Sequence, residues 1–308
     1  MAQADSPGTA NWKVTLAYDG TDYRGWQVQP GLSTVQGELQ AALRRVTGET
    51  PLPQGSGRTD AGVHALGQVA SFRLKAAIPA VNLRRALNRT LPAAIRVLEA
   101  EVVPEWFHAR HSTVAKTYEY RVVVEKKGPG ARDGRTGTRD EGLEAGGEGL
   151  VCSPFLARYA YAYAWPLEFS ALQRAAKMFV GTHDFLSFAA TDPDETARCG
   201  ETARGGEVAR GGETARGGET ADSAVRTIFG SWWEERAMGE GTLLVYRVRG
   251  SGFLHHMVRN LVGTMLDVGR GYRGAEAIPG MIAARSRAVA GPTAPARGLF
   301  LHSVEYPG

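Results

Sequence analysis

Hydrophobic and polar residues alternate along several short stretches of the chain, the pattern of β-strands with one buried face. The clearest is KTYEYRVVV at 116–124, where Tyr118, Tyr120, Val122 and Val124 fall on the same face. Six further stretches also predict strands: 12–20, 68–72, 95–103, 225–236, 241–250 and 298–306. The stretches 225–236 and 241–250 are close enough in the chain to pair as a hairpin.

Four other segments repeat their apolar residues every three or four positions, which is the spacing of amphipathic helices. The first two are predicted to begin at a capping box formed by Ser33 and Gln36 and directly behind Pro79. The third is predicted to begin at a capping pair of Ser170 and Gln173. The fourth lies within FLHHMVRNLVGTMLDVG at 253–269, where Gly269 closes the apolar face.

Strands mostly follow strands, with helices interspersed, which predicts an α+β fold with mainly antiparallel sheets. A chain of 308 residues is long for one core, and its second half echoes the first, so we expect two similar domains. Residues 1–11 are predicted to be a disordered N-terminus, 12–111 the N-terminal domain and 112–308 the C-terminal domain. Two glycine-rich stretches, at about 126–150 and 191–223, are predicted to be insertions that bury nothing.

Composition narrows the function classes. A net charge of +4 is a modest basic excess, which favours a polyanionic partner. No apolar run approaches the roughly eighteen residues of a membrane helix. The first residues also lack the apolar segment of a signal peptide. We therefore expect a soluble, cytoplasmic protein.

The sequence also bears on cofactors. It contains no Walker loop, no G-x-G-x-x-G after a strand and no H-E-x-x-H. Glu105 and His108 have the spacing of a metal-binding pair, with His111 after them, but that spacing alone is common. His255 and His256 are adjacent, so on a helix they would not face the same metal ion. We expect neither a metal nor a cofactor.

A glycine-rich turn, GSGRTDAG at 55–62, places Arg58 and Asp60 two residues apart. In one interpretation Asp60 is a turn residue whose carboxylate accepts hydrogen bonds from the amides of Ala61 or Gly62. In the other it is an exposed carboxylate, kept ionised by a nearby cation and available as a nucleophile or base. The turn itself leaves both interpretations open.

The stretch GRTDAGVHALGQVASF at 57–72 resembles the signature of the tRNA pseudouridine synthase A family, the uridine isomerases of the tRNA anticodon arm. Five further stretches resemble family blocks in the same order: YDGTDYRGWQVQ at 18–29, FHARHSTVAKTYEYRV at 107–122, GTHDFLSF at 181–188, GSGFLHHMVRNLVGTMLDVGRG at 250–271 and GLFLHSVEY at 298–306. The resemblance implies a pseudouridine-synthase-type central sheet with the active site in the cleft between the two domains.

The resemblance also implies roles for individual residues. Asp60 matches the essential catalytic aspartate of a reaction that breaks the N1–C1′ bond of uridine, turns the base and rejoins it through C5 without a cofactor. Tyr118 matches the tyrosine that stacks on the target base, and Arg259 the basic partner of the aspartate. Leu299 matches the apolar residue that closes the pocket. Arg58 is expected to fill the space left by the extruded base or to hold the adjacent phosphate.

Further expectations concern the partner. Four arginines are predicted to follow the RNA backbone: Arg24, Arg84, Arg85 and Arg110. His64 is expected to pack or hydrogen-bond behind the turn rather than to catalyse. The resemblance implies modification of U38, U39 and U40 of tRNA by a homodimer. Two alternatives stay open: a non-catalytic RNA-binding protein of the same fold, and a hydrolase that uses Asp60 as its base.

Overall fold

The computed structural model describes residues 8–125, 152–190, 224–238 and 241–307. The glycine-rich stretches predicted to be insertions, 126–150 and 191–223, lie outside the described residues, as do residues 1–7.

Ten strands of the described residues form one sheet. They are β1 (Ala10–Tyr18), β2 (Gln54–Gly55), β3 (His64–Leu74), β4 (Ile95–Val103), β5 (Ala115–Glu125), β6 (Tyr161–Tyr163), β7 (Gly181–Asp184), β8 (Val225–Met238), β9 (Gly241–Gly250) and β10 (Leu299–Glu305). The main order is β4-β1-β3-β10-β5-β9-β8-β7, with β2 paired to β3 and β6 to β5. The pairs are antiparallel except β10 with β3 and β5 with β6. Every stretch predicted to be a strand is confirmed, and β8 and β9 form the predicted hairpin.

The described helices are α1 (Val35–Thr47), α2 (Ala80–Thr90), α3 (Pro154–Ala157), α4 (Phe169–Lys177), α5 (Met257–Gly269) and α6 (Ile278–Ala283). Helix α2 packs against β4, and α4 packs against both β8 and α5. The predicted common face of β5 is confirmed as core, since Tyr118, Tyr120 and Val122 are buried in the cluster that also includes residues of these helices. None of these helices combines the length and apolar character needed to cross a membrane.

The two predicted capping boxes are wrong, because tertiary contacts recruit the residues concerned. Helix α1 is capped by Thr34, whose side chain accepts a hydrogen bond from the amide of Gly37. The buried Gln36 instead accepts from the amide of Val28 and donates to the carbonyl of Pro53. Helix α4 is capped by Glu168.

The last strand joins the two predicted domains. Strand β10 lies between β3, from the predicted N-terminal domain, and β5, from the predicted C-terminal domain, so one sheet runs through both. The predicted boundary at residues 111 and 112 falls in the loop between β4 and β5 and stays a prediction. Strand β1 begins at Ala10, so two residues of the stretch predicted to be disordered are in the sheet.

Candidate active site

The turn that carries Asp60 connects β2 to β3, and its first residues are held by buried polar side chains. Ser56 donates from Oγ to Gln68 Oε1 over 2.7 Å, and Gln68 Nε2 donates to the carbonyl of Gly57 over 2.9 Å. Lys116 Nζ, from β5, donates to the carbonyl of Ser56 over 2.6 Å. Because Ser56 and Gln68 have no exposed surface, the hydrogen bond between their side chains is shielded from water.

The middle of the turn is held by the segment after β1. The hydroxyl groups of Thr59 and Tyr18 are hydrogen-bonded over 2.8 Å, and the amide of Trp26 donates to the carbonyl of Thr59. Gly25 has a φ of +87°, and a Cβ atom there would lie 2.5 Å from that carbonyl oxygen. The turn therefore has one well-defined position, and a glycine makes the close approach feasible.

The Asp60 carboxylate is half-buried and surrounded by basic groups. Arg259 Nη1, from the first turn of α5, lies 3.3 Å from Asp60 Oδ2, so the ion pair expected from the sequence is present. His256 Nε2 lies 3.3 Å from the same oxygen, and His255 Nε2 lies 3.5 Å from Oδ1. Arg259 is itself held in place, because its Nε donates to the carbonyl of Ala294 over 2.7 Å.

The expectation that His255 and His256 would not face the same ion is wrong. It assumed that both residues are helical, but His256 has a φ of 57°, in the left-handed region, and α5 begins only at Met257. As a result the two rings lie 3.9 Å apart beside Asp60. One donor atom from each of these three residues lies within 4.8 Å of the others, so they are the described residues able to hold a metal ion. Arg259, on the same carboxylate, opposes a second cation there.

Burial decides the protonation state of two side chains around Asp60. The pKa of His256 is lowered mainly by burial, against the opposing effect of Asp60, so the imidazole is neutral at pH 7. The pKa of Tyr118 is raised far above its usual value, mainly by burial and further by Tyr18 and Asp60. Its hydroxyl therefore stays protonated at any physiological pH and can donate a hydrogen bond. The Tyr118 ring meets Phe253 edge-on at 5.0 Å.

The remaining predicted site residues divide into two groups. Leu299 is buried at the start of β10, opposite Tyr120. Arg58 and Arg24 are exposed, one on the turn and one in the segment packed against it. Arg110 is exposed and close enough to Lys116 to lower the pKa of that lysine.

Arg84 and Arg85 are not brought to the turn. They lie on α2, which packs on β4, and β4 is two strands away from β3 in the sheet.

His64 is placed as the sequence predicts, packed behind the turn. It is almost fully buried and stacked on Phe300 at 4.7 Å. Its Nδ1 accepts a hydrogen bond from the amide of Gly20, and its Nε2 lies 3.1 Å from the carbonyl of Arg158. Both contacts suit the neutral ring protonated at Nε2.

Three side chains at the site were missed by sequence reasoning: His255, His256 and Lys116. Lys116 precedes Tyr118 by two residues on an alternating strand, so its shared face with the tyrosine was readable. The contacts of both histidines with Asp60 depend on a backbone conformation that the residue pattern does not encode.

The chain is similar in sequence to known proteins over most of its length. The sequence profile described as tRNA pseudouridine synthase matches residues 15–112 and 212–307. The chain belongs to this family. A relative from Solibacter usitatus, named tRNA pseudouridine synthase A, is 45% identical over 295 residues, covering 96% of this chain and 98% of the relative. A second of the same name, from Moorella thermoacetica, is 41% identical over 297 residues, with the same coverage of both chains.

The family resemblance inferred from the sequence is thus confirmed, and so is the fold class. The tRNA pseudouridine synthase A family consists of RNA-modifying isomerases, so the enzyme class of this chain is isomerase.

Proposed function

We propose that this chain converts U38, U39 and U40, on the 3′ side of the tRNA anticodon stem-loop, to pseudouridine, with Asp60 as the catalytic carboxylate and without a cofactor. The observation that carries the proposal is the environment of Asp60. Its carboxylate stands on an immobilised turn, keeps 22% of its side-chain surface accessible and lies 3.3 Å from Arg259.

Each neighbour of Asp60 has a use in this reaction. An accessible carboxylate is able to attack C1′ or C6 of the nucleotide, or to take a proton from C2′. The fixed guanidinium of Arg259 supplies positive charge where negative charge develops. The protonated Tyr118 offers a ring on which the uracil base stacks and a hydroxyl that donates a hydrogen bond. Leu299 closes the apolar side of the pocket.

The target uridine must leave the stacked RNA before these groups reach it, since its reacting atoms are hidden within the stem-loop. In this proposal Arg58 fills the space that the extruded base leaves in the RNA, or binds the adjacent phosphate. Arg24 and Arg110 bind the RNA backbone, which positions the substrate without reading its sequence. The family relationship favours a homodimer as the active unit.

The two alternative functions are less well supported. A glycosidase of the usual kind needs a second carboxylate near the first. Among the described residues, the ionisable groups within ion-pair distance of Asp60 are all basic. A non-catalytic binding protein has no need of an accessible carboxylate held between three basic side chains.

The test is the isosteric variant Asp60→Asn, incubated with an unmodified tRNA transcript in which pseudouridine is then mapped by chemical derivatisation. We expect product at the three anticodon-arm positions with the wild type and none with Asp60→Asn, which still binds the transcript. Asp22→Asn is the matched control, because the Asp22 side chain is 81% exposed and contacts Arg158.

Three outcomes contradict the proposal. Full turnover by Asp60→Asn removes the assigned catalyst. Free uracil or cleaved RNA identifies a hydrolase. Binding without product by the wild type identifies a non-catalytic RNA-binding protein.

A further inference from the structure

Lys116 lies directly beneath the residues that precede Arg58 and Asp60. It shares a face of β5 with Tyr118, and its Nζ contacts the carbonyl of Ser56. A Cβ atom on Gly57 would lie only 3.0 Å from this Nζ. The ammonium group is thus in contact with the base of the turn, and Lys116 as a residue is only partly buried.

The charge of Lys116 is not balanced by the described part of the protein. An ammonium group has three protons to donate, and the described residues use one of them, on a neutral carbonyl. None of the ion pairs among these residues includes Lys116. The buried Glu119 on the same strand points to the other face, where it pairs with Arg121 and Arg247.

The nearest charged groups disfavour the protonated form of Lys116. Arg110, from the loop after β4, and Arg226, from β8, both face Lys116 with positive charge. Burial, followed by these two arginines, lowers the pKa of Lys116 to about 8. A poorly hydrated cation beside two others costs folding free energy. Such an arrangement is typical of a site whose counter-ion arrives with a ligand.

We propose that Lys116, together with Arg110, binds a phosphate group of the substrate RNA beside the extruded nucleotide. This inference rests on the proposed function. A lysine binds phosphate as a point charge, and the two unused protons of Lys116 suit a phosphate oxygen. Because Lys116 contacts the residues directly before Arg58, the bound phosphate lies next to the turn that carries Asp60. Arg226, which also donates to the carbonyl of Val225, adds positive potential.

Phosphate binding by Lys116 makes the affinity for RNA depend on pH in a defined direction. Lys116 must be protonated to bind phosphate, and in the free protein it loses its proton near pH 8. A bound phosphate raises the pKa of the ammonium group, so RNA binding takes up protons above that pH. The affinity for RNA therefore falls as the pH rises from 7 to 9.

The experiment measures the dissociation constant of an unmodified tRNA transcript over a series of salt concentrations, at pH 7 and pH 9. It compares the wild type with Lys116→Met, Lys116→Arg and the control Lys75→Met. Lys75 is exposed just after the far end of β3, so this control removes the same net charge at a distance from the turn.

We expect Lys116→Met to bind the transcript about tenfold more weakly. The slope of log Kd against log salt should fall by about one relative to Lys75→Met. The part of the pH dependence due to Lys116 should also be lost. Lys116→Arg should keep the slope and lose that pH dependence, because arginine stays charged at pH 9.

The failures are distinguishable. If the wild type does not bind the transcript, the proposed function itself fails. If it binds, and Lys116→Met has the affinity and slope of Lys75→Met, only the phosphate site is overturned. A lower turnover of Lys116→Met with an unchanged salt slope likewise overturns it, since Lys116 then only holds the turn.

Discussion

Arg259 is held in the position that its proposed role requires before any substrate arrives. Its backbone carbonyl accepts from the amide of Ala294, and its Nε donates to the carbonyl of the same residue. The residue is thereby anchored through its backbone and through its guanidinium, and Nη1 remains directed at Asp60. A charge held in position needs no reorganisation when negative charge develops in a reaction.

Replacing this side chain tests its contribution. We expect Arg259→Met to lower the single-turnover rate of pseudouridine formation on the order of 100-fold, the loss typical for one preorganised donor. Binding of the transcript should change much less than turnover. Arg85→Met, on the exposed face of α2, is the control. Equal rates for the two variants would show that Arg259 does not act on Asp60.

The buried imidazole of His64 is expected to make the free energy of unfolding depend on pH. Burial lowers the pKa of its imidazole below the usual 6.5, so the unfolded chain binds this proton more readily than the folded protein. The contribution of His64 to the free energy of unfolding is therefore fully present above pH 6.5 and is lost as the pH drops below that value. We expect urea titrations at pH 7 and pH 5 to show a smaller loss of unfolding free energy in His64→Gln than in the wild type. The exposed His111→Gln should lose as much as the wild type.

At the scale of elements, the site depends on where segments begin and how closely they pack. Helix α5 begins at Met257, four residues after the start of the stretch 253–269 that predicts it, because His256 adopts a left-handed conformation. The segment after β1 approaches the turn that carries Asp60 through Gly25. Both features place side chains around Asp60 through backbone geometry.

A matched pair of glycines separates packing from backbone strain. Gly25 and Gly31 both have positive φ, but a Cβ atom on Gly31 meets nothing within 4 Å, whereas one on Gly25 strikes the carbonyl of Thr59. Gly31→Ala should cost about 1 to 2 kcal/mol of backbone strain in denaturant titrations, and Gly25→Ala should cost more because its Cβ atom also meets the carbonyl of Thr59. Only Gly25→Ala displaces Asp60, so we expect its turnover alone to fall, on the order of 100-fold. Similar turnover in both variants would show that the contact with Thr59 does not position the turn.

At the scale of the whole molecule, the sheet is completed by its last strand. Strand β10 pairs with β3 and β5, and beyond it Tyr306 donates to the carbonyl of Ala109 and packs on Phe107. Without this strand, the two halves of the sheet lose their hydrogen-bonded connection.

Truncation tests this connection. Removing residues 299–308 should abolish cooperative thermal unfolding, followed by circular dichroism, because β5 would lose an antiparallel partner and β3 would lose its connection to β5. Removing only residues 307–308 should leave the transition close to that of the full chain. A cooperative transition in the longer truncation would show that the two halves fold independently.

The sequence by itself determined the seven longest strands, the four longest helices, the fold class and the family. Strand alternation and helical periodicity depend on local patterns of burial, and the turn and its flanking blocks carry the family signature in their residues. Through those blocks Tyr118, Arg259 and Leu299 were assigned to the same site as Asp60, and the Asp60–Arg259 ion pair was expected.

Only the tertiary structure decided what surrounds Asp60 beyond that pair. The capping boxes failed because Gln36 and Gln173 bond to distant backbone groups. His255 and His256 reach the carboxylate through one left-handed residue. Lys116 lacks a counter-ion among the described residues, and two arginines from other elements lie near it. These features arise from contacts between segments that are far apart in the chain. A local pattern of hydrophobic and polar residues does not predict such contacts.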